Sequence, residues 1–268
     1  MPAYQLGTHI YVFSEYGYNQ AERLDEIFDT VAAAGYPAIE IFAPTLDRPD
    51  WYETVSRALE RNSLRLIGGS HGGSLWDAAR WDDLRAEMDA YSDKLARFGP
   101  GLKCGFTCGG KKLAERTDDE NAQMVRAWLE LSQMLRAKGI TLNYHTHGEP
   151  PEDIAFILEH VPADVLPLGP DLDWLRFGGT DPIPFLRAHA ERLVMLHARD
   201  YWLGGTRTWA LGEGDADYGE LARVLDEIGF AGDFVVELAI PPGSDPSTRP
   251  IADILRQSRE HVRMTMGL

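Results

Sequence analysis

Cysteine is almost missing: Cys104 and Cys108 are the only two in 268 residues. On one extended strand they would stand ~13 Å apart at ~3.3 Å per residue, beyond disulfide reach, so neither a disulfide framework nor a cysteine-based zinc site is expected. Basic residues are also scarce, with 26 Lys and Arg against 42 Asp and Glu and a formal net charge of -16. Such a surface repels a phosphate backbone, which argues against nucleic acid as a partner. No apolar run approaches ~18 residues. The N-terminal MPAYQLGTHIYVF lacks a basic region followed by an apolar stretch and a small-residue cleavage site. The expectation is a soluble, cytoplasmic protein with no membrane partner. Linkers, low-complexity stretches and abrupt composition changes are missing as well, so residues 1–268 read as one domain.

What is present is a regular alternation of strand-like and helical patterns. Eight apolar runs fall at 5–12, 38–43, 64–69, 102–107, 140–146, 165–170, 193–198 and 233–239. Between them, Leu24, Ile27, Phe28 and Val31 recur at helical spacing before Gly35, and Leu84, Met88, Tyr91 and Leu95 before Gly99. Thr117 with Glu120, and Asp217 with Glu220, have the spacing of capping boxes. Eight β-then-α units in a chain near ~250 residues predict an α/β fold, a (β/α)8 TIM barrel. A doubly wound open sheet would be expected to carry a glycine-rich phosphate turn after its first strand, and HIYVFSEYGYNQ has none.

In a barrel, chemistry sits at the C-terminal ends of the strands. His9, Glu40, His71, Thr107, His145, Asp171, His197 and Glu237 fall late in, or just after, the eight successive runs. His145, Asp171, His197 and Glu237 form a mixed imidazole and carboxylate set suited to a divalent transition metal. One strand-end histidine alone is more often a hydrogen-bonded structural residue; four such groups on consecutive strands point to a metal. Side chains two apart on a strand share a face, which pairs His145 with His147, Asp171 with Asp173 and His197 with Arg199. The deeper member of each pair would hold the ion and the upper would meet substrate, Arg199 as a permanently charged donor. His9, Glu40 and His71 are expected as wall or substrate contacts. Trp76, Lys112, Tyr201 and Trp202 are further polar or aromatic candidates near the mouth.

These residues resemble the xylose isomerase-like barrels grouped as sugar phosphate isomerases/epimerases. GYPAIEIFA, GITLNYHTHGE, PDLDWLRFGGTDP, RLVMLHARDY and LGEGDADYGELARVLDEIGFAGDFVVEL carry the likeness along nearly the whole chain. It implies one divalent ion, Mn favoured over Co, Ni, Zn or Mg, held by His145, Asp171, His197 and Glu237. It also implies a small-molecule sugar or cyclitol substrate, enolised through an enediolate that the metal stabilises, and an isomerase or epimerase activity. Two positions depart from the family pattern. His145 stands where many relatives have a glutamate, and Trp174, expected to touch substrate together with Asp173, stands where a histidine often follows the aspartate. Losing one of two metal-bound glutamates removes the symmetric pair of carboxylates that serve as acid and base in the epimerases. Glu237 then remains as one catalytic group, with His147 and His145 as candidates for the other.

The alternative reading is a lyase or dehydratase acting by β-elimination on a keto-inositol or 3-keto-glycoside, motivated by the same loss. The zinc-cluster DNA-repair branch of these barrels fits poorly with the acidic balance, and a non-catalytic binding barrel fits poorly with an intact ligand set. LGGTRTWALGEG is the closest approach to an anion-binding loop near the last two strands, so an unphosphorylated substrate is expected. The exposed helical faces do not distinguish a homo-oligomer from a monomer.

Overall fold

The computed structural model describes residues 3–268, and Met1 and Pro2 of the expected 1–268 domain lie outside it. Seven parallel strands form one sheet: β1 Gln5–His9, β2 Ala38–Phe42, β3 Arg65–Gly72, β4 Lys103–Thr107, β5 Thr141–Tyr144, β6 Met195–Ala198 and β7 Asp233–Val236. Their order is β5-β4-β3-β2-β1-β7-β6. The sixth of the eight expected strands, 165–170, is instead an irregular segment with isolated parallel bridges, Tyr144 to Leu168 and Leu168 to Leu193. Its sequence, LPLGPD, explains this. Pro167 and Pro170 have no N–H to give to a ladder, so they serve only as acceptors, from Tyr144 N–H and His197 N–H, each at 2.9 Å. The segment still fills the gap between β5 and β6, and the sheet closes as a (β/α)8 barrel with one irregular member.

Helices cover the outside. Leu24–Ala33, Trp81–Ala96 and Tyr218–Glu227 lie where the periodicity places them, with their apolar residues buried against the sheet. The Thr117 and Glu120 pair forms the full capping box of helix Asp118–Ala137. Asp217 Oδ1 accepts from Glu220 N–H at 2.7 Å, but among the described residues no return bond from the Glu220 side chain forms. The first run is also shorter than expected: β1 ends at His9, and Tyr11–Glu15 is a short helix. Among the described residues, no helix is long and apolar enough to cross a membrane.

Alternation along the strands layers the interior. At the bottom, Asp233 is buried between Arg65 and Lys103 and pairs with both. Above them Ala38, Ile67, Met195 and Val235 form a separate small apolar cluster. The next inward positions are His197 after Met195, Glu237 after Val235 and Glu40 after Ala38, each two residues on. The apolar layer thus acts as a floor that keeps polar groups at the C-terminal end.

Gly169, in the irregular segment, is forced by space. A Cβ there would lie 1.9 Å from Asn143 Oδ1 and 2.9 Å from Met195 Cγ. Gly169→Ala is expected to destabilise the protein by roughly 1–3 kcal/mol through overpacking, read as a lower urea midpoint at constant m-value. An unchanged midpoint would show that the segment yields without strain.

Candidate active site

Three side chains from three neighbouring positions meet above the apolar floor. His145 follows β5, His197 lies in β6 and Glu237 follows β7, and they present ligand atoms within 4.8 Å of one another. All three are buried. His145 Nδ1 and His197 Nδ1 face each other at 3.0 Å. Behind them Glu40, fully buried, accepts from His197 Nε2–H at 2.7 Å.

The protonation pattern follows from these contacts. Burial alone would push the His197 imidazole down. The charge and hydrogen bond of Glu40, with Glu237 and Asp171, outweigh burial and lift its pKa to about 9. Burial, aided by the cationic His197, lowers His145 to about 4. One proton therefore sits between the two Nδ1 atoms near neutrality, donated by His197 and accepted by His145. Burial also acts against the Glu237 carboxylate, but Arg199, His9, His197 and His145 hold it well below the usual carboxylate range.

Asp171 stands beside this trio. Its Oδ1 caps helix Leu172–Phe177 by accepting from Trp174 N–H at 3.0 Å, and its Oδ2 accepts from Arg199 Nε at 2.8 Å. Arg199 reaches on to Glu237 Oε1 at 2.5 Å. The guanidinium thus bridges two carboxylates of the expected ligand set instead of standing above them as a free donor. The donor chemistry fits a divalent ion: two imidazole nitrogens, one ring fixed from behind by the Glu40 carboxylate, and Glu237 and Asp171 adjacent.

The remaining expected residues separate clearly. A cavity of roughly 650 Å³ opens over the trio and is lined by His9, His71, His147, Trp174 and Arg199 among others. His9 Nδ1 accepts from Tyr11 N–H and its Nε2–H donates to Ser70 Oγ, both at 2.9 Å. His71 bonds Glu87 at 3.1 Å and stacks on Phe106. The His147 ring lies 4.1 Å from Trp174. Two expected substrate contacts do not reach the cavity. Glu40 is screened by His197, and Asp173 belongs to a helix, where strand alternation no longer applies, and pairs with Arg176 at 2.8 Å.

Of the other mouth candidates, Trp76 Nε1–H donates to Gly109 O, Lys112 borders a smaller adjoining cavity, Tyr201 carries Arg176 over its ring and Trp202 is exposed. Tyr11, Glu15, Phe42, Ser70 and Arg207 line the main cavity without having been singled out from sequence. Tyr11 and Glu15 lie on the short helix read as strand. Arg207 lies in a loop, and its only signal was its place in LGGTRTWALGEG.

Comparison with known proteins gives the same picture. The sequence profile of the xylose isomerase-like TIM barrel family matches residues 28–264. An inosose dehydratase from Geobacillus thermodenitrificans is 24% identical over 173 residues, a match spanning 57% of this chain and 57% of that relative's own length. The crystal structure of D-psicose 3-epimerase from Clostridium cellulolyticum H10 with D-tagatose superposes with a TM-score of 0.74, at 15% identity, covering 98% of this chain and 99% of that one. For D-allulose 3-epimerase from Methylomonas sp. in complex with D-allulose the TM-score is 0.73, at 20% identity over 98% and 97%. An L-ribulose 3-epimerase structure gives 0.76, at 16% over 98% and 95%. At these identities the structures establish a shared fold.

Filling the site with a metal must displace the proton held between His145 and His197, because ligands bind deprotonated. Divalent-ion uptake at pH 7 is expected to release about one proton per ion, with release fading as pH rises through about 9, where His197 is already deprotonated. Glu40→Gln, which removes the carboxylate that raises His197, should lower the release. Calorimetry in two buffers of different ionisation enthalpy measures it, and uptake without proton release at pH 7 would refute the shared-proton arrangement.

Proposed function

Because the chain belongs to the xylose isomerase-like TIM barrel family, we propose that it is a divalent-metal-dependent isomerase or epimerase acting on a keto sugar or related polyol. The reading takes the chain as one barrel domain of the cytoplasm. It takes His145, His197, Glu237 and Asp171 as the holders of one ion, with Mn favoured. The observation that carries it is the buried trio of His145, His197 and Glu237 at the floor of a cavity on the barrel's C-terminal face.

When bound, the ion supplies a Lewis acid for a ketone oxygen and the neighbouring hydroxyl. The chain supplies the rest. Glu237, ionised and fixed by Arg199, is placed to take the proton from the carbon beside the ketone. Arg199 holds Asp171 and Glu237 in a fixed relation. His147, exposed at the rim, is the imidazole that can deliver a proton to the neighbouring carbon or the opposite face. Trp174 offers an aromatic face to the polyol.

A second reading, a dehydratase or lyase acting by β-elimination, draws on the inosose dehydratase relative and on His145 in place of a carboxylate. Both begin with the same proton abstraction.

Inductively coupled plasma mass spectrometry on wild type beside His145→Ala and Glu237→Ala tests the shared premise. About one divalent ion per chain, lost in both variants, is the expected result, and a wild type that stays empty after soaking with Mn, Co, Ni and Zn refutes it. With the metal in place, deuterium from solvent appearing in unreacted ketose or its epimer supports isomerisation, while release of an eliminated product supports the second reading. Glu237→Gln should abolish exchange in either case.

A further inference from the structure

Two guanidinium groups line the cavity, Arg199 and Arg207, and only one has its charge met. Arg199 is paired with Asp171 and Glu237. Among the described residues, no carboxylate oxygen lies within 4.0 Å of the Arg207 nitrogens. Glu15, on the same cavity wall, feels the Arg207 charge but makes no ion pair with it, and its carboxylate accepts from Ile240 N–H at 2.6 Å.

Arg207 is nevertheless held in place. An antiparallel bridge joins it to Tyr201, and Trp202 N–H bonds Thr206 O across the turn between them. Its guanidinium lies 5.5 Å from the centroid of Trp174. Trp174 is 4.1 Å from the His147 ring, which is in turn 6.3 Å from that of His145. Arg207 thus stands two ring contacts away from the ligand trio, facing the same cavity. Because both open on one cavity, this half-buried, unpaired cation is open to the far end of a molecule held by its ketone at the trio.

We propose that the substrate bears a carboxylate at the end remote from its ketone and that Arg207 is the specificity-determining residue that binds it, a proposal that rests on the enolising chemistry proposed for the site. A planar guanidinium matches a carboxylate fork to fork. No glycine backbone nest for a phosphate dianion faces the cavity beside Arg207, since neither Gly204 nor Gly205, the glycines of this loop, lines it. The substrate class is therefore a keto sugar acid.

The test is calorimetric binding of D-fructose, its C6 acid D-fructuronate and D-fructose 6-phosphate to the Mn-loaded protein and to Arg207→Gln. In wild type, D-fructuronate is expected to bind roughly tenfold or more tighter than D-fructose, the effect of one charge-assisted pair. That ratio should collapse in Arg207→Gln and shrink with added salt. A ratio near one in wild type, binding of neither sugar, or an unchanged ratio in the variant overturns the assignment. Tighter binding of D-fructose 6-phosphate than of D-fructuronate overturns the choice of carboxylate. Metal content and deuterium exchange on the same samples read the enolising proposal separately. A D-fructuronate preference in protein that holds no metal would leave Arg207 standing and sink enolisation, whereas metal and exchange with a ratio near one would do the reverse.

Discussion

The contact on which the site depends is the buried hydrogen bond from His197 to Glu40. Neither group reaches solvent, so each is tolerable there only because of the other; removing one partner would strand a charge in the barrel interior. The bond fixes more than stability. By engaging Nε2 it turns Nδ1 toward His145 and the cavity, the orientation an imidazole needs to hold an ion there. It also raises the basicity of that ring, which is why a proton rests between the two histidines. Because Glu40 is an inward position of β2, two residues above Ala38 in the apolar layer, the barrel's alternation sets this orientation before any ligand arrives.

Charge balance over the floor extends the argument. Glu40, Asp171 and Glu237 bring three carboxylates, against which Arg199 and a protonated His197 bring two positive charges. One negative charge is left over in a region where uncompensated charge is costly. Exchanging the shared proton for a divalent ion would cancel it. Arg199 is what keeps the remainder from being larger, and its link to both Asp171 and Glu237 means that movement of either carboxylate toward an ion is felt by the other.

Much of this was legible in the sequence, for one reason: strand alternation has a period of two that folding does not change. That rule placed His145, His197 and Glu237 on the inner face at the correct end, and the separate 3.6-residue period with its capping residues located the helices between them. It failed where the backbone left the strand. Asp173 lies in the first turn of a helix that starts at Leu172, so its expected partnership with Asp171 above the ion never forms. Tyr11 and Glu15 line the cavity from a helix inside the run read as the first strand. The sixth run keeps its place in the barrel while Pro167 and Pro170 deny it a ladder. Arg207 had no periodicity to betray it, because a loop residue's direction depends on a turn whose closure only three dimensions reveal. Glu40 was found as a polar strand residue, but its role came from depth, which a sequence does not record.

The two proposed chemistries diverge after the first proton transfer, and the site is asymmetric there. Glu237 is buried, ionised and clamped by Arg199, suited to abstraction from one face of a bound ketose. In the proposed reaction His145 stands where a symmetric epimerase has its opposing carboxylate; its Nδ1 is turned toward His197 and burial lowers its pKa to about 4, so at neutral pH it is a neutral imidazole and a poor acid. In that reaction delivery on the far side is assigned to His147, whose pKa burial also lowers but which is exposed at the rim, tilted against Trp174 at 4.1 Å, and able to exchange its proton with water. A group in that position can protonate a carbon, completing isomerisation or inversion. It can equally protonate a hydroxyl as it leaves, completing elimination. The choice then rests on which substituent the far wall brings beside His147. That wall includes Trp174 and Arg207, so under the proposed assignments the residues that select the substrate also select the outcome.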